Sequence, residues 1–194
     1  VCCSIYRERT YCMSMRQRVG QPEIEKFLVE VGRTRQPGRL YLVGGAAMVH
    51  AGIRSGQTLD IDIQITTDPT NLTAQIAQLK QRLNMNIEFA SPGDFMPLPA
   101  QWEARSQFIK RYNQVDTFYF YWYSIALSKA QRANPQDIVD LQLLIRQGFV
   151  DITELDVVYQ EVLNKIGNPP YDRLFPNLSQ QKFAQHYQAI RQIL

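Results

Sequence analysis

The sequence predicts an α+β fold: a small β-sheet flanked by helices, with a helical region at the C-terminal end. Three observations predict it. Short apolar or alternating runs intersperse with segments of helical period up to about Tyr121, and only helical patterns follow. With 45% hydrophobic, 11% aromatic and 20% charged residues among 194, the chain has an ordinary globular composition and the length to bury a core. No internal repeat or low-complexity segment interrupts the pattern.

From Pro22 to about Arg35, Ile24, Phe27, Leu28 and Val31 recur at helical spacing, with acidic residues in the first turn and basic ones in the last. Pro37-Gly38 ends this helix, and the apolar run LYLV reads as a strand buried on both faces. Gly44-Gly45 then opens a short helix, AAMVHA, which packs closely through its alanines. After a polar loop, Thr58 to Ile65 forms a second strand, and Asp68-Pro69-Thr70 starts a helix that runs to about Leu83. MNIEFA, residues 85–90, is a third strand, with Glu88 on the face opposite Ile87 and Phe89. FMPLPAQW is a proline-rich loop, and Arg105–Asn113 with Val115–Tyr121 reads as a hairpin turning at Asn113-Gln114.

The aromatic run VDTFYFYWY fits a buried strand better than a base-stacking surface, because dense aromatics on strands belong mostly to cores. Helices follow over SIALSKAQRA, over NPQDIVDLQLLIRQG with Asn134 as cap and Gly148 as stop, over ITELDVVYQEVLNKIG, and over SQQKFAQHYQAIRQIL. A loop through Pro169-Pro170 and Pro176 separates the last two.

Charge and cysteine usage bound the function. A formal charge of +3 is mildly basic and favours a nucleotide or RNA partner, without the density of a dedicated nucleic-acid binder. The three cysteines, Cys2, Cys3 and Cys12, are odd in number and clustered at one end, which predicts reduced thiols rather than a disulfide scaffold. The two histidines, His50 and His186, lie too far from that cluster in sequence to suggest a zinc site. No apolar run approaches the roughly 18 residues of a spanning helix, so no membrane partner is expected. The N-terminal stretch has no apolar core or cleavage site of a secretory signal, and cytoplasm is the expected compartment.

The chemistry concentrates between Arg39 and Ile65, RLYLVGGAAMVHAGIRSGQTLDIDIQI. Successive side chains of a strand point to opposite faces, so Asp60 and Asp62 share one face while Leu59, Ile61 and Ile63 turn to the other. Such a pair suits a hard divalent cation, and a glycine turn opening a helix suits a phosphate. The apolar neighbours Leu59, Ile61, Ile63 and Ile65 call for a covered sheet, which argues against an acid pair that merely solvates an edge.

GGAAMVHAGIRSGQTLDIDI resembles the signature of the polymerase-beta-like nucleotidyltransferase superfamily, in which a Gly-Gly or Gly-Ser turn precedes an Asp-x-Asp strand. Within it, the chain is most similar to the AbiEii-like toxin type and to related uncharacterised nucleotidyltransferase-like bacterial proteins. In those relatives a Gly-x-Arg-x-x-Thr-like loop precedes the acids, here Gly52-Ile53-Arg54 and Thr58, and a Lys…Arg…Asp…Asp pattern follows, here Lys129, Arg132, Asp137 and Asp140. The similarity covers roughly residues 38–150. It implies a mixed-sheet nucleotidyltransferase core over residues 21–130, an N-terminal extension over 1–20 and a C-terminal helical region over 131–194 packed on the core.

The resemblance also implies site roles. Asp60 and Asp62 would hold one or two magnesium ions, or manganese, that bridge the triphosphate of an NTP. Gly44 and Gly45 would cradle the triphosphate. A third acid on the following strand would complete the metal set and take the acceptor's proton; Glu88 is the expected residue, with Asp94 as the alternative. Lys129 would contact phosphate with Asp137 holding it in place, although Asp137 also reads as a plain first-turn acid. Arg54, in the same loop as Thr58, meets a phosphate or pairs with a loop carboxylate, and His50 reads as a satisfied imidazole rather than a base.

Three functional readings follow. The first is a magnesium-dependent enzyme moving a nucleoside monophosphate from an NTP to an acceptor, with tRNA or another RNA as acceptor and a cognate antitoxin protein as partner. The second is a catalytically degenerate nucleotide- or RNA-binding module. The third is a small-molecule nucleotidyltransferase of the antibiotic-modifying kind.

Overall fold

A computed structural model describes residues 18–34, 37–66 and 72–194. The cysteines Cys2, Cys3 and Cys12 and the expected helix start at Asp68-Pro69-Thr70 lie outside the described residues.

Helix α1 (Gln21–Arg33) buries Ile24, Phe27, Leu28 and Val31, the stripe its periodicity marked. Gly20 precedes it, and its N–H donates to Glu23 Oε2 at 2.9 Å, closing the first turn. Strand β1 (Gly38–Leu42) carries Leu40, Tyr41 and Leu42 fully buried, as a central strand covered on both faces requires. Helix α2 (Gly44–His50), strand β2 (Asp60–Thr66), helix α3 (Leu72–Leu83) and strand β3 (Asn86–Phe89) follow.

The second strand therefore begins at Asp60 rather than Thr58. Thr58 instead forms an isolated antiparallel bridge with Val19, a fully buried residue within the expected N-terminal extension. Leu59, expected to turn into the core with Ile61 and Ile63, is 59% exposed. It precedes the strand, so the alternation of faces does not govern it.

The segment after β3 holds a single 3-10 turn at Pro92–Asp94 and then helix α4 (Trp102–Arg105), which starts at the last residue of the expected loop and takes Arg105 from the expected hairpin. Strands β4 (Gln107–Tyr112) and β5 (Val115–Tyr119) form the expected hairpin, turning at Asn113, whose φ of 57° suits an asparagine. The aromatic run leaves the sheet at Tyr119 rather than Tyr121, and helix α5 (Trp122–Arg132) starts inside it. Its rings are core: Phe120, Tyr121, Trp122 and Tyr123 are buried, and Tyr41 stacks on Phe118 with centroids 5.1 Å apart while Trp102 stacks on Phe120 at 4.3 Å.

Helix α6 (Pro135–Arg146) is capped by Asn134, whose side chain accepts the Asp137 N–H at 2.9 Å. Helix α7 (Ile152–Lys165) is capped by Asp151, a short helix α8 (Tyr171–Leu174) lies in the expected loop, and helix α9 (Gln180–Arg191) closes the chain. Contacts of α5 with α6, α7 and α9 bind this helical region together.

The sheet is mixed and five-stranded, in the order β3-β2-β1-β5-β4. β1 runs antiparallel to β2 and parallel to β5, β2 is parallel to β3, and β4 is antiparallel to β5. Cross-strand partners share a face, so Leu42 and Ile63 lie on one side and Tyr41, Gln64 and Phe118 on the other. By the period of two, Asp60 and Asp62 belong with Gln64 on the second side. The centre of that side is sealed by the aromatic layer of Tyr41, Phe118, Phe120 and Trp102. At the β2–β3 margin it opens into a cleft.

Candidate active site

Strand β2 presents its acids as the alternation dictates: Ile61 and Ile63 are fully buried, and Asp60 and Asp62 are half-buried on the opposite face. The parallel register with β3 sets Asp60 beside Asn86 and Asp62 beside Glu88. Glu88 thus stands on the acids' side of the sheet, as expected of the third carboxylate. The Asn86 side-chain amide donates to Glu88 Oε1 at 2.8 Å and also to Asp60 Oδ1, linking the two outer acids. Asp94, the alternative third acid, accepts the Ser91 N–H at 2.6 Å and so closes the 3-10 turn.

The two glycines explain themselves through what a side chain would strike. Gly44 has φ +55°, and a Cβ there would lie 2.8 Å from Asp62 Oδ2. A Cβ on Gly45 would lie 2.8 Å from an Arg54 guanidinium nitrogen and 2.9 Å from Thr58 Oγ1. Gly44 therefore lets Asp62 close against the start of α2, and Gly45 admits the Arg54 and Thr58 side chains. Of the four, only Gly44 lines the cleft. Arg54 pairs instead with Asp140 at 3.1 Å, a carboxylate on α6 and not in a loop.

The cleft, about 280 Å³, has its far wall on α5. Ile125, Ser128, Lys129 and Arg132 line it, spaced as one face of a helix. Lys129 Nζ lies 2.5 Å from Asp140 Oδ2 and 3.1 Å from Asp137 Oδ1, and all three side chains are at most 4% exposed. Asp137 accepts two further bonds from Arg132, at 2.9 and 3.1 Å, and Gln136 donates to Asp140 at 2.9 Å. Asp137 is thus a first-turn acid that also pairs with Lys129, and it does not line the cleft. Arg132, its side chain 54% exposed, carries positive charge into it.

His50 is buried and satisfied: Nδ1 meets the Tyr119 hydroxyl at 2.8 Å and Nε2 meets Glu25 at 3.3 Å, away from the cleft. Sequence reading did not assign roles to Asn86, Ser91, Phe95 or Ser128, and it named Arg132 and Asp140 only as members of a pattern. The helical spacing from Ile125 to Arg132 is the signal that groups the α5 residues. Nothing local to Asn86 marks it, because its part depends on strand register.

Burial, reinforced by the neighbouring Asp60 and Glu88 charges, pushes the Asp62 carboxyl up from its ordinary 3.8 to about 6, while Arg132 and Lys129 pull it back. Acids crowded in this way favour a bound cation. Among the described residues, however, no group of three or more His, Cys, Asp and Glu side chains has the arrangement of a metal site. The expected set of Asp60, Asp62 and Glu88 is thus aligned on one face without converging on a common point, and the Asn86 amide stands between Asp60 and Glu88. Asp60 and Asp62 still fit magnesium, which takes one or two carboxylates and completes its octahedron with water and phosphate oxygens.

Among the described residues no helix is long and apolar enough to cross a membrane. No curated protein and no solved structure matches the chain. Residues 22–188 match the family described as a nucleotidyltransferase of unknown function (DUF6036), a span that takes in the glycine turn, the acids of β2 and β3 and the α5–α6 charge cluster. The chain belongs to that nucleotidyltransferase family.

Proposed function

We propose that the protein is a magnesium- or manganese-dependent enzyme of the AbiEii-like toxin type. It moves a nucleoside monophosphate from an NTP to an acceptor hydroxyl, the end of a tRNA or another RNA: the hydroxyl oxygen bonds the α-phosphorus, the bond from that phosphorus to the oxygen bridging the β-phosphate breaks, and pyrophosphate leaves. A cognate antitoxin protein is its partner, in the cytoplasm. One observation carries this reading: Asp60 and Asp62, with Glu88 in register beside Asp62, line a cleft that also holds Gly44 and Arg132.

Asp60 and Asp62 would hold the cation, which when bound would neutralise charge on a triphosphate. Gly44, having no side chain, makes room at the cleft wall for the Asp62 carboxylate. Arg132 offers a guanidinium to phosphate oxygens from the opposite wall. Glu88 would accept the acceptor hydroxyl's proton. Lys129, held by two buried carboxylates, acts through position, keeping α5 and α6 together and its own charge near Asp62.

A second reading, a binding module without transfer, is favoured by the Asn86 amide between Asp60 and Glu88, which occupies acceptor positions that a third metal ligand needs. Incubation with radiolabelled NTPs, magnesium and either tRNA, total RNA or an aminoglycoside separates these cases. The toxin-type reading predicts label in RNA, reduced by roughly a hundredfold or more in Asp60→Ala and Asp62→Ala, since each removes charge stabilisation worth several kcal/mol. Unchanged incorporation in both variants contradicts it. Tight NTP binding with no transfer to any acceptor supports the second reading.

A further inference from the structure

Beyond the acids, the cleft has an apolar side that phosphate chemistry leaves unused. Phe95 lines it and is 55% exposed. Single exposed apolar residues are ordinary on protein surfaces. Three features set this one apart.

Its position is fixed. It directly follows the 3-10 turn, its N–H bonds the Pro92 carbonyl at 3.1 Å, and Asp94 ties the turn to the Ser91 N–H. The flanking Pro92 and Met96 are buried, Met96 completely, so the backbone is anchored on both sides while the ring projects out. Its ring is also without a stacking partner of those kinds: among the described residues no aromatic ring or cation stacks on Phe95, whereas Tyr41 of β1 and Phe118 of β5 stack on each other. Finally, it shares a cleft with Ile125, which comes from α5, and with the acids and Arg132. A ligand with one planar apolar end and one polyanionic end matches both halves.

We propose that Phe95 is the nucleobase-stacking residue of this cleft. This rests on the nucleotidyl-transfer reading and adds the subsite that reads the base. Stacking on a phenyl ring uses the π-face that every base possesses, so the subsite tolerates different bases. The base belongs either to the NTP or to the terminal nucleotide of an RNA acceptor, and binding measurements distinguish the two.

The experiment is calorimetric titration of the full chain with ATP, with UTP, with inorganic tripolyphosphate and with an RNA trinucleotide, in magnesium. Wild type, Phe95→Ala, Phe95→Leu and Phe95→Trp are compared after circular dichroism has confirmed folding. Phe95→Ala should weaken both NTPs about tenfold, as loss of one base–aromatic stack does, and leave tripolyphosphate unchanged. Phe95→Leu should behave like the alanine variant, and Phe95→Trp should restore binding. If the trinucleotide alone weakens, the acceptor's base occupies the subsite and nucleobase stacking stands. Equal weakening of tripolyphosphate, or no weakening of any base-containing ligand, overturns the proposal. NTP that binds no tighter than tripolyphosphate, together with trinucleotide binding that Phe95→Ala leaves unchanged, overturns stacking alone and leaves the phosphate site intact. If neither binds, the nucleotidyl-transfer reading falls with it.

Discussion

Two groups of charged side chains face each other in this fold and are handled in opposite ways. On β2 and β3, Asp60, Asp62 and Glu88 gather negative charge around a half-buried carboxyl that is pushed up to about 6. On α5 and α6, Asp137 and Asp140 are more deeply buried, yet Lys129, Arg132 and Arg54 neutralise them at 2.5–3.1 Å. The paired cluster is architecture. It ties α5 to α6 and, through Arg54, to the segment behind the glycine turn. The acidic cluster carries like-charge repulsion that lowers stability once its members ionise, and a cation bound there would relieve it. Charge is compensated where the fold must be rigid and left exposed where a ligand is expected.

Breaking the paired side should have the largest effect on folding. Lys129→Ala removes the cation shared by two buried carboxylates, leaving Asp137 to Arg132 and Asp140 to Arg54, and should lower stability by about 3 kcal/mol, the low end for a broken buried pair. For a chain of this size, that corresponds to a fall of roughly 10 °C in thermal midpoint, followed by circular dichroism. Arg132→Ala, which removes a half-exposed partner, should cost far less. A Lys129→Ala protein as stable as wild type would show that the cluster does not hold the helices.

On the unpaired side the expected changes are smaller and opposite in sign. Glu88→Gln removes one of the like charges raising Asp62, so the Asp62 midpoint, followed by NMR titration, should move down from about 6. An unmoved midpoint would place Glu88 out of electrostatic reach.

Asp62→Asn offers the finest comparison. Because the folded carboxyl holds its proton more tightly than its ordinary 3.8, its contribution to stability is complete below that value and lost as pH rises through about 6. The variant should therefore be more stable than wild type at pH 7.5, by on the order of 1 kcal/mol, and the advantage should disappear near pH 4. Destabilisation at pH 7.5 would mean that Asp62 is already compensated.

The contrast between the two clusters also marks how far sequence reasoning reaches. The face shared by Asp60 and Asp62 was legible because strand alternation is local, and Asn134 and Gly148 bracket α6 for equally local reasons. Glu88 was legible up to register: its strand was evident, but only the parallel pairing with β2 sets it beside Asp62 and brings Asn86 between the acids. Arg54 meets Asp140 across 86 residues of chain, a partnership no short pattern encodes. Leu59 was assigned to the core by an alternation that starts one residue later. Phe95 was passed over inside a proline-rich loop, because its importance comes from the wall it shares with α5.

The most direct test of the central claim is the thermal midpoint at pH 7.5 with magnesium and NTP, each alone and both together, in wild type and in a combined Asp60→Ala, Asp62→Ala variant. If the acidic edge awaits a metal–triphosphate, the two together should stabilise wild type by about 2.7 kcal/mol at a hundredfold excess over Kd, and should do nothing for the variant. An equal shift in both proteins, or none in wild type, would contradict it.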